Sequence, residues 1–245
     1  MTIIRAFMAA LALWLTTLVS LAAAGSANAH PLRLVIVGDS TVANYAASKP
    51  ARGWGMFIQE RFQPSVIVSN LAANGRSTKT FIAEGRWARA LALKPDYVLI
   101  QFGHNDSHAK GRREATDAAT DYRDYLRQYV DETRAAGGVP ILVTPMLRRT
   151  YTADGKLDDL LAPYAEAMKA VAAEKHAPLI DLHAASRALY ERLGPAETAK
   201  LASEPTDKTH FNERGARAMA DLVLQELPKV VPQLAAEMKP GVTGN

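Results

Sequence analysis

The 245-residue chain reads as an α/β protein, a three-layer α/β/α sandwich around a five-stranded parallel sheet, and three observations predict this. Segments rich in Val, Ile and Leu recur five times, and runs such as Leu34-Val35-Ile36-Val37 are apolar without alternation, which suits strands covered on both faces. Segments with apolar residues at helical spacing lie between them. Strand and helix in alternation is the pattern of parallel strands joined by right-handed crossovers.

In chain order the strand candidates are Leu32–Val37, Val66–Leu71, Asp96–Phe102, Val139–Thr144 and Pro178–Leu182. Helical periodicity predicts helices over Gly55–Phe62, Lys79–Ala92, Asp117–Ala136 and Leu160–Lys175. Gly137-Gly138 stops the third of these and Pro140 follows at the fourth strand, the expected punctuation. Two late helices, His183–Leu193 and Asn212–Leu227, would cover the sheet, and residues 239–245 are expected to fray. Trp54 and Trp87 read as helix-packing residues, with a lesser reading of Trp87 as a sugar platform.

Composition narrows the class. Hydrophobic residues make up 48% and charged residues 22%, values of a globular protein able to bury a core. Residues 1–29 stand apart: Arg5 gives a charged start, Ala9 to Ala24 are largely apolar, and Ala27-Asn28-Ala29 is a small-x-small site. This reads as a cleaved secretory signal peptide, with an uncleaved N-terminal anchor as the alternative. The expected domain is 30–238, periplasmic or secreted, with no membrane attachment after cleavage. The absence of cysteine removes disulfides, thiolate chemistry and Cys-ligated zinc. The net charge of +4 falls to +3 without Arg5, and basic residues are scattered among acidic ones. No stripe tracks a nucleic-acid backbone, and a monomer is expected.

Chemistry concentrates where predicted strands end. Leu34–Val37 stops at Gly38-Asp39-Ser40, and a serine at such a corner lies on the sheet edge where ligands of open parallel sheets bind. Two blander readings exist: Asp39 and Ser40 cap a following helix, or Gly38 to Thr41 cradle a phosphate at that helix's N-terminus in a flavodoxin-like anion-binding protein. Asp39 opposes the second, because a carboxylate repels a bound anion. Asn74-Gly75-Arg76-Ser77 follows the second strand, Gly103-His104-Asn105-Asp106 the third, and Asp207-Lys208-Thr209-His210 precedes the last helix. A carboxylate three residues before an imidazole can reach its far nitrogen and orient it as a base, with Asp207 as a mere helix cap the alternative. His104, Asp106 and His108 have a spacing that could ligate a metal, although a role for Asn105 in the same loop weighs against that reading.

Together these four blocks resemble those of the SGNH, or GDSL-like, hydrolases, and the words GDST, NGRS, FGHND, TPMLRR and DKTHFNERGA resemble the rhamnogalacturonan acetylesterase branch. The resemblance spans about Leu32 to Leu227. It implies a flavodoxin-like strand order 2-1-3-4-5, no metal and no cofactor. It also implies a catalytic set of Ser40 as nucleophile, His210 as base and Asp207 as its orienter, with an oxyanion hole from Ser40, Gly75 and Asn105. The implied function is a serine esterase releasing O-acetyl groups from a pectic polysaccharide such as rhamnogalacturonan. Esterases of xylan, lysophospholipases and thioesterases of the same fold are the alternatives. Arg148 and Arg149, which follow the fourth strand, and Arg76, beside Gly75, are candidates for binding a uronate carboxylate.

Overall fold

The computed structural model describes residues 30–241. The signal-peptide segment and residues 242–245 lie outside the described residues. Five strands, β1 Leu32–Gly38, β2 Val66–Asn70, β3 Tyr97–Gln101, β4 Val139–Val143 and β5 Leu179–Ile180, form one sheet in the order β2-β1-β3-β4-β5. Every pairing is parallel, with Leu34 opposite Val68 on one side and Tyr97 on the other. This is the order implied by the resemblance.

Successive side chains on a strand point to opposite faces, so each unbroken apolar run feeds two cores. Leu34, Ile36, Leu99, Ile141 and Ile180 pack with α5 (Leu182–Ala199) and α6 (Glu213–Val230). Val35, Val37, Val98, Ile100 and Leu142 pack with α1 (Thr78–Ala83), α2 (Arg86–Ala92), α3 (Asp121–Ala135) and α4 (Ala162–Glu174). The helices therefore form two layers, with a short α7 (Pro232–Ala235) after α6.

Several helix boundaries differ from expectation. The Gly55–Phe62 segment forms two 3-10 turns, Trp54–Phe57 and Gln59–Arg61, instead of an α-helix. Its backbone is committed elsewhere: the Trp54 N–H donates to the Thr41 carbonyl at 3.0 Å, and the Arg61 carbonyl accepts from Lys239 at 2.9 Å. That second bond pins Lys239, the first residue of the segment expected to fray. The Lys79–Ala92 helix is broken at Glu84-Gly85, and α5 runs past Leu193 through a kink at Gly194. Trp87 is 2% exposed, stacks edge-on with Tyr129 at 4.7 Å and donates to Glu132, so it offers no sugar platform.

Candidate active site

Ser40 sits on a tight turn, not at the start of a helix. At Gly38, the last residue of β1, a Cβ would lie 2.6 Å from the Gln101 carbonyl, so glycine is what lets the turn begin against β3. Asp39 is buried and accepts from the Thr41 N–H at 2.8 Å and its hydroxyl at 2.7 Å, while the Asp39 carbonyl takes the N–H groups of Val42 and Ala43. Gln101 ties this turn to the core by accepting from the Trp54 indole at 2.9 Å. The chain then leaves in turns toward Gly53, so no helix N-terminus is present to cradle a phosphate at Gly38–Thr41, contrary to the anion-binding alternative. Ser40 is left 8% exposed, on the wall of a cavity.

Asp207 and His210 are brought together by a turn that Asp207 itself closes. Its Oδ1 accepts the N–H groups of Thr209 at 2.7 Å and His210 at 2.8 Å, the self-capping habit of a short acidic side chain. Its Oδ2 accepts from the Ser203 hydroxyl at 3.0 Å and lies 2.8 Å from His210 Nδ1. Partial burial pushes the Asp207 carboxyl up, but the His210 and Thr209 N–H donors and the imidazole outweigh it and hold the group at about 2. An ionised carboxylate only accepts, so the proton of the imidazole belongs on Nδ1 and Nε2 keeps its lone pair. That Nε2 is 2.9 Å from Ser40 Oγ, where it can take the hydroxyl proton.

Gly75 and Asn105 border the same cavity as Ser40. Gly75 has φ +75, a left-handed conformation in which a side chain is strained, and its Cβ direction is open space. Among the described residues neither the Gly75 nor the Ser40 N–H has an acceptor. Asn105 Nδ2 donates to the Arg76 carbonyl at 3.0 Å, which ties the β3 loop to the Gly75 turn and leaves its second amide hydrogen to spare. Three donors thus border the space beside Ser40 Oγ.

The three arginines part company. Arg148 lines the cavity, its guanidinium donating to the His104 carbonyl at 2.9 Å and to the Thr209 hydroxyl, and it has no carboxylate within salt-bridge distance among the described residues. Arg149, expected at the substrate, is 2% exposed. It donates to the backbone carbonyls of His210 at 2.6 Å and Asp207 at 3.2 Å and lies 4.4 Å from the Phe211 ring centroid, so it braces the turn from behind. Adjacent residues of an extended segment point to opposite sides, and only one of this pair can face the cleft. Arg76 is paired with Glu84 at 2.9 Å and with the Asn74 carbonyl, and its side chain is absent from the cavity wall.

His104, Asp106 and His108 do not converge. His104 is 2% exposed, with Nδ1 3.5 Å from Asp39, and burial lowers its pKa. Asp106 is buried under α1, accepting from Thr78 and Thr116, and burial pushes its carboxyl up to about 7. His108 pairs with Glu114 at 2.7 Å. Among the described residues no cluster of three His or acidic side chains could hold a metal.

The cavity holds about 440 Å³, within the range of about 300–1,000 Å³ common for small-ligand sites. Tyr45 also lines it, its hydroxyl donating to the Ser40 carbonyl at 2.9 Å. Sequence reasoning missed Tyr45, since nothing in its spacing marks a loop tyrosine that folds back over the nucleophile.

The GDSL-like lipase/acylhydrolase family matches residues 36–218. The chain is 36% identical over 216 residues to the rhamnogalacturonan acetylesterase RhgT of Bacillus subtilis, covering 82% of this chain and 91% of that protein. It is 30% identical over 212 residues to a rhamnogalacturonan acetylesterase of Emericella nidulans, covering 78% and 83%. Among solved structures, the protein YxiM of Bacillus subtilis superposes with a TM-score of 0.71 at 30% identity over 81% of this chain and 56% of that one. The acetylxylan esterase Axe2 of Geobacillus stearothermophilus shares the fold, with a TM-score of 0.64 at 21% identity over 80% and 94%. A serine hydroxyl bonded to an imidazole, itself bonded to a carboxylate at the carboxyl edge of a parallel sheet, is thus found in a chain that belongs to the GDSL-like lipase/acylhydrolase family and is an esterase acting on carboxylic ester bonds.

Proposed function

We propose that this protein is a secreted carbohydrate acetylesterase that removes O-acetyl groups from an acidic, pectic polysaccharide of the rhamnogalacturonan type. The observation that carries the esterase chemistry is the relay Ser40 Oγ, His210 Nε2, His210 Nδ1, Asp207 Oδ2, with links of 2.9 and 2.8 Å. Ser40 Oγ attacks the acetyl carbonyl carbon as His210 takes its proton, and Asp207 stabilises the imidazolium. The oxygen that becomes negative is met by the N–H groups of Ser40 and Gly75 and the spare Asn105 amide hydrogen. Collapse returns the proton from His210 to the departing sugar oxygen and leaves acetyl-Ser40. Water, deprotonated by His210, then frees acetate.

Support for a carbohydrate substrate comes from the relatives named rhamnogalacturonan acetylesterase. Support for an acidic one comes from Arg148, a guanidinium at the cavity without an ion-pair partner among the described residues, whose planar fork suits a carboxylate. An acetylxylan esterase is the second reading, favoured by the shared fold of Axe2. Secretion rests on the composition of residues 1–29. The test is acetate release from a panel of acetylated pectins and xylans, with fluorophosphonate labelling of the unmodified protein and of Ser40→Ala. Labelling lost with Ser40→Ala and acetate released faster from pectic than from xylan substrates is expected. Labelling that survives Ser40→Ala would remove Ser40 from the mechanism, and preference for neutral xylan would replace the pectic assignment.

A further inference from the structure

The catalytic cavity has a larger neighbour. A second cavity of about 840 Å³ lies between the 108–121 loop, which joins β3 to α3, and the first turn of α4, where Pro163 and Tyr164 form its far wall. His108 borders both spaces, so the two concavities meet at that residue. We propose that this second cavity is a glycan-binding groove that continues the catalytic pocket and takes carboxylate-bearing sugar units adjoining the acetylated one. This deepens the carbohydrate-esterase reading and rests on it.

The groove is built from fixed parts. The His108 ring at the junction is held by Glu114 at 2.7 Å, which also accepts from Arg112 at 2.7 Å. The Tyr164 hydroxyl lies 2.6 Å from the Thr116 carbonyl and 3.0 Å from that of Asp106, tying the α4 wall to the loop that carries Asn105. Preorganised walls of this kind limit the ordering that binding must impose.

The charges say what it would take. Asp117 and Asp121 line the groove but are turned to backbone: Asp117 Oδ1 accepts from Ala119 at 2.8 Å and Asp121 Oδ1 from Asp117 at 2.5 Å. Arg112 and Arg113, on the same loop, are paired with Glu114 and Glu84. Lys110 lines the groove, is exposed and has no ion-pair partner among the described residues. Together with Arg148 in the first cavity, it gives the two spaces one uncommitted cation each, as a chain carrying carboxylates at intervals would require. The catalytic cavity, at about 440 Å³, cannot enclose several sugar units, and a polymer must leave it somewhere.

The experiment compares kcat/KM for acetylated acidic oligosaccharides of increasing length, neutral acetylated oligosaccharides of matched length, and an aryl acetate. Ala119 is exposed on the groove wall, so Ala119→Trp fills the groove without entering the core. The unmodified enzyme should gain kcat/KM with chain length. Ala119→Trp should lose about tenfold on the long substrates, equivalent to about 1.4 kcal/mol, and remain normal on the aryl acetate. Lys110→Gln should lose several-fold on the acidic oligosaccharides alone, and because the side chain is exposed its fold is secure whatever Ala119→Trp does. A length dependence untouched by both variants, or equal losses on every substrate, overturns the groove while leaving the carbohydrate reading intact. An unmodified enzyme that cleaves the aryl acetate but no acetylated glycan overturns both.

Discussion

Replacing Arg149 with methionine should damage the enzyme on every substrate and lower its stability, which separates a buried brace from a substrate contact. The guanidinium makes one short bond to the His210 carbonyl at 2.6 Å and a second to the Asp207 carbonyl at 3.2 Å, and its 3.4 Å approach to the Thr209 carbonyl adds little. Bonds involving a charged group contribute about 1.5–3 kcal/mol each, so the two good ones sum to roughly 3–5 kcal/mol. Removing a cation that is 2% exposed and has no carboxylate partner relieves part of its desolvation, and methionine keeps the apolar contact with Phe211. A net loss of about 2–3 kcal/mol remains, which for a domain of this size lowers Tm by roughly 5–10 °C. With the turn loosened, His210 Nε2 no longer holds its 2.9 Å approach to Ser40, and kcat should fall tenfold or more; displacement of a catalytic group by about 1 Å can change rate on the order of 10²-fold. The assays are thermal melting and kcat/KM on an aryl acetate and an acetylated pectic oligosaccharide. An unchanged Tm with loss on the acidic substrate alone would refute the brace and return Arg149 to the substrate.

Arg148→Gln should show the complementary pattern, losing about tenfold in kcat/KM on acidic acetylated fragments, with the loss shrinking at high salt and aryl acetate turnover near normal; equal loss on both substrates would assign it to architecture. Asn105→Ala should lower kcat by about 10²–10³ with little change in KM, as for loss of one oxyanion donor; an effect confined to KM would mean that its bond to the Arg76 carbonyl is all it supplies. Burial raises the Asp106 carboxyl from 3.8 to about 7, so the folded state holds a proton that the unfolded chain releases near pH 4. The stability it lends is complete below about pH 4 and is lost as pH rises through about 7; urea midpoints should fall over that interval in the unmodified protein, and Asp106→Asn should remove the step. A pH profile identical in the two proteins would mean that Asp106 is ionised throughout.

What the sequence discloses follows the range of the interactions involved. The strands are legible because a two-sided core imposes apolar residues at successive positions, and Leu34 to Val37 meet that demand locally, two side chains to each layer. The relay is legible for a related reason. Asp207 closes its own turn through bonds to the N–H groups two and three residues on, so a short word suffices to set its carboxylate against His210. Only the 170-residue closure onto Ser40 is long-range, and the parallel sheet supplies it by delivering strand ends to one edge.

The misreadings are all places where a distant partner decides. Gly55–Phe62 has helical spacing, yet Thr41 takes the Trp54 N–H and the Gln59 side chain is drawn to Val66 and Val68 at the edge of β2, so 3-10 turns win over a helix that could not make those bonds. Arg148 and Arg149 are the sharper case, because they are identical in type and adjacent in sequence, and no rule of composition assigns them different duties. Extended backbone turns one toward the cleft and the other toward the Asp207–His210 turn, whose carbonyls need donors once they are buried. The brace therefore exists because the catalytic turn is not helical: its outward carbonyls have no i+4 partners, and a fixed five-donor fork 2% exposed behind them satisfies two at once. On this argument Arg149→Lys fails as a substitute, since a single ammonium on a flexible stem cannot span both carbonyls, and its Tm should lie nearer to that of Arg149→Met than to that of the unmodified protein.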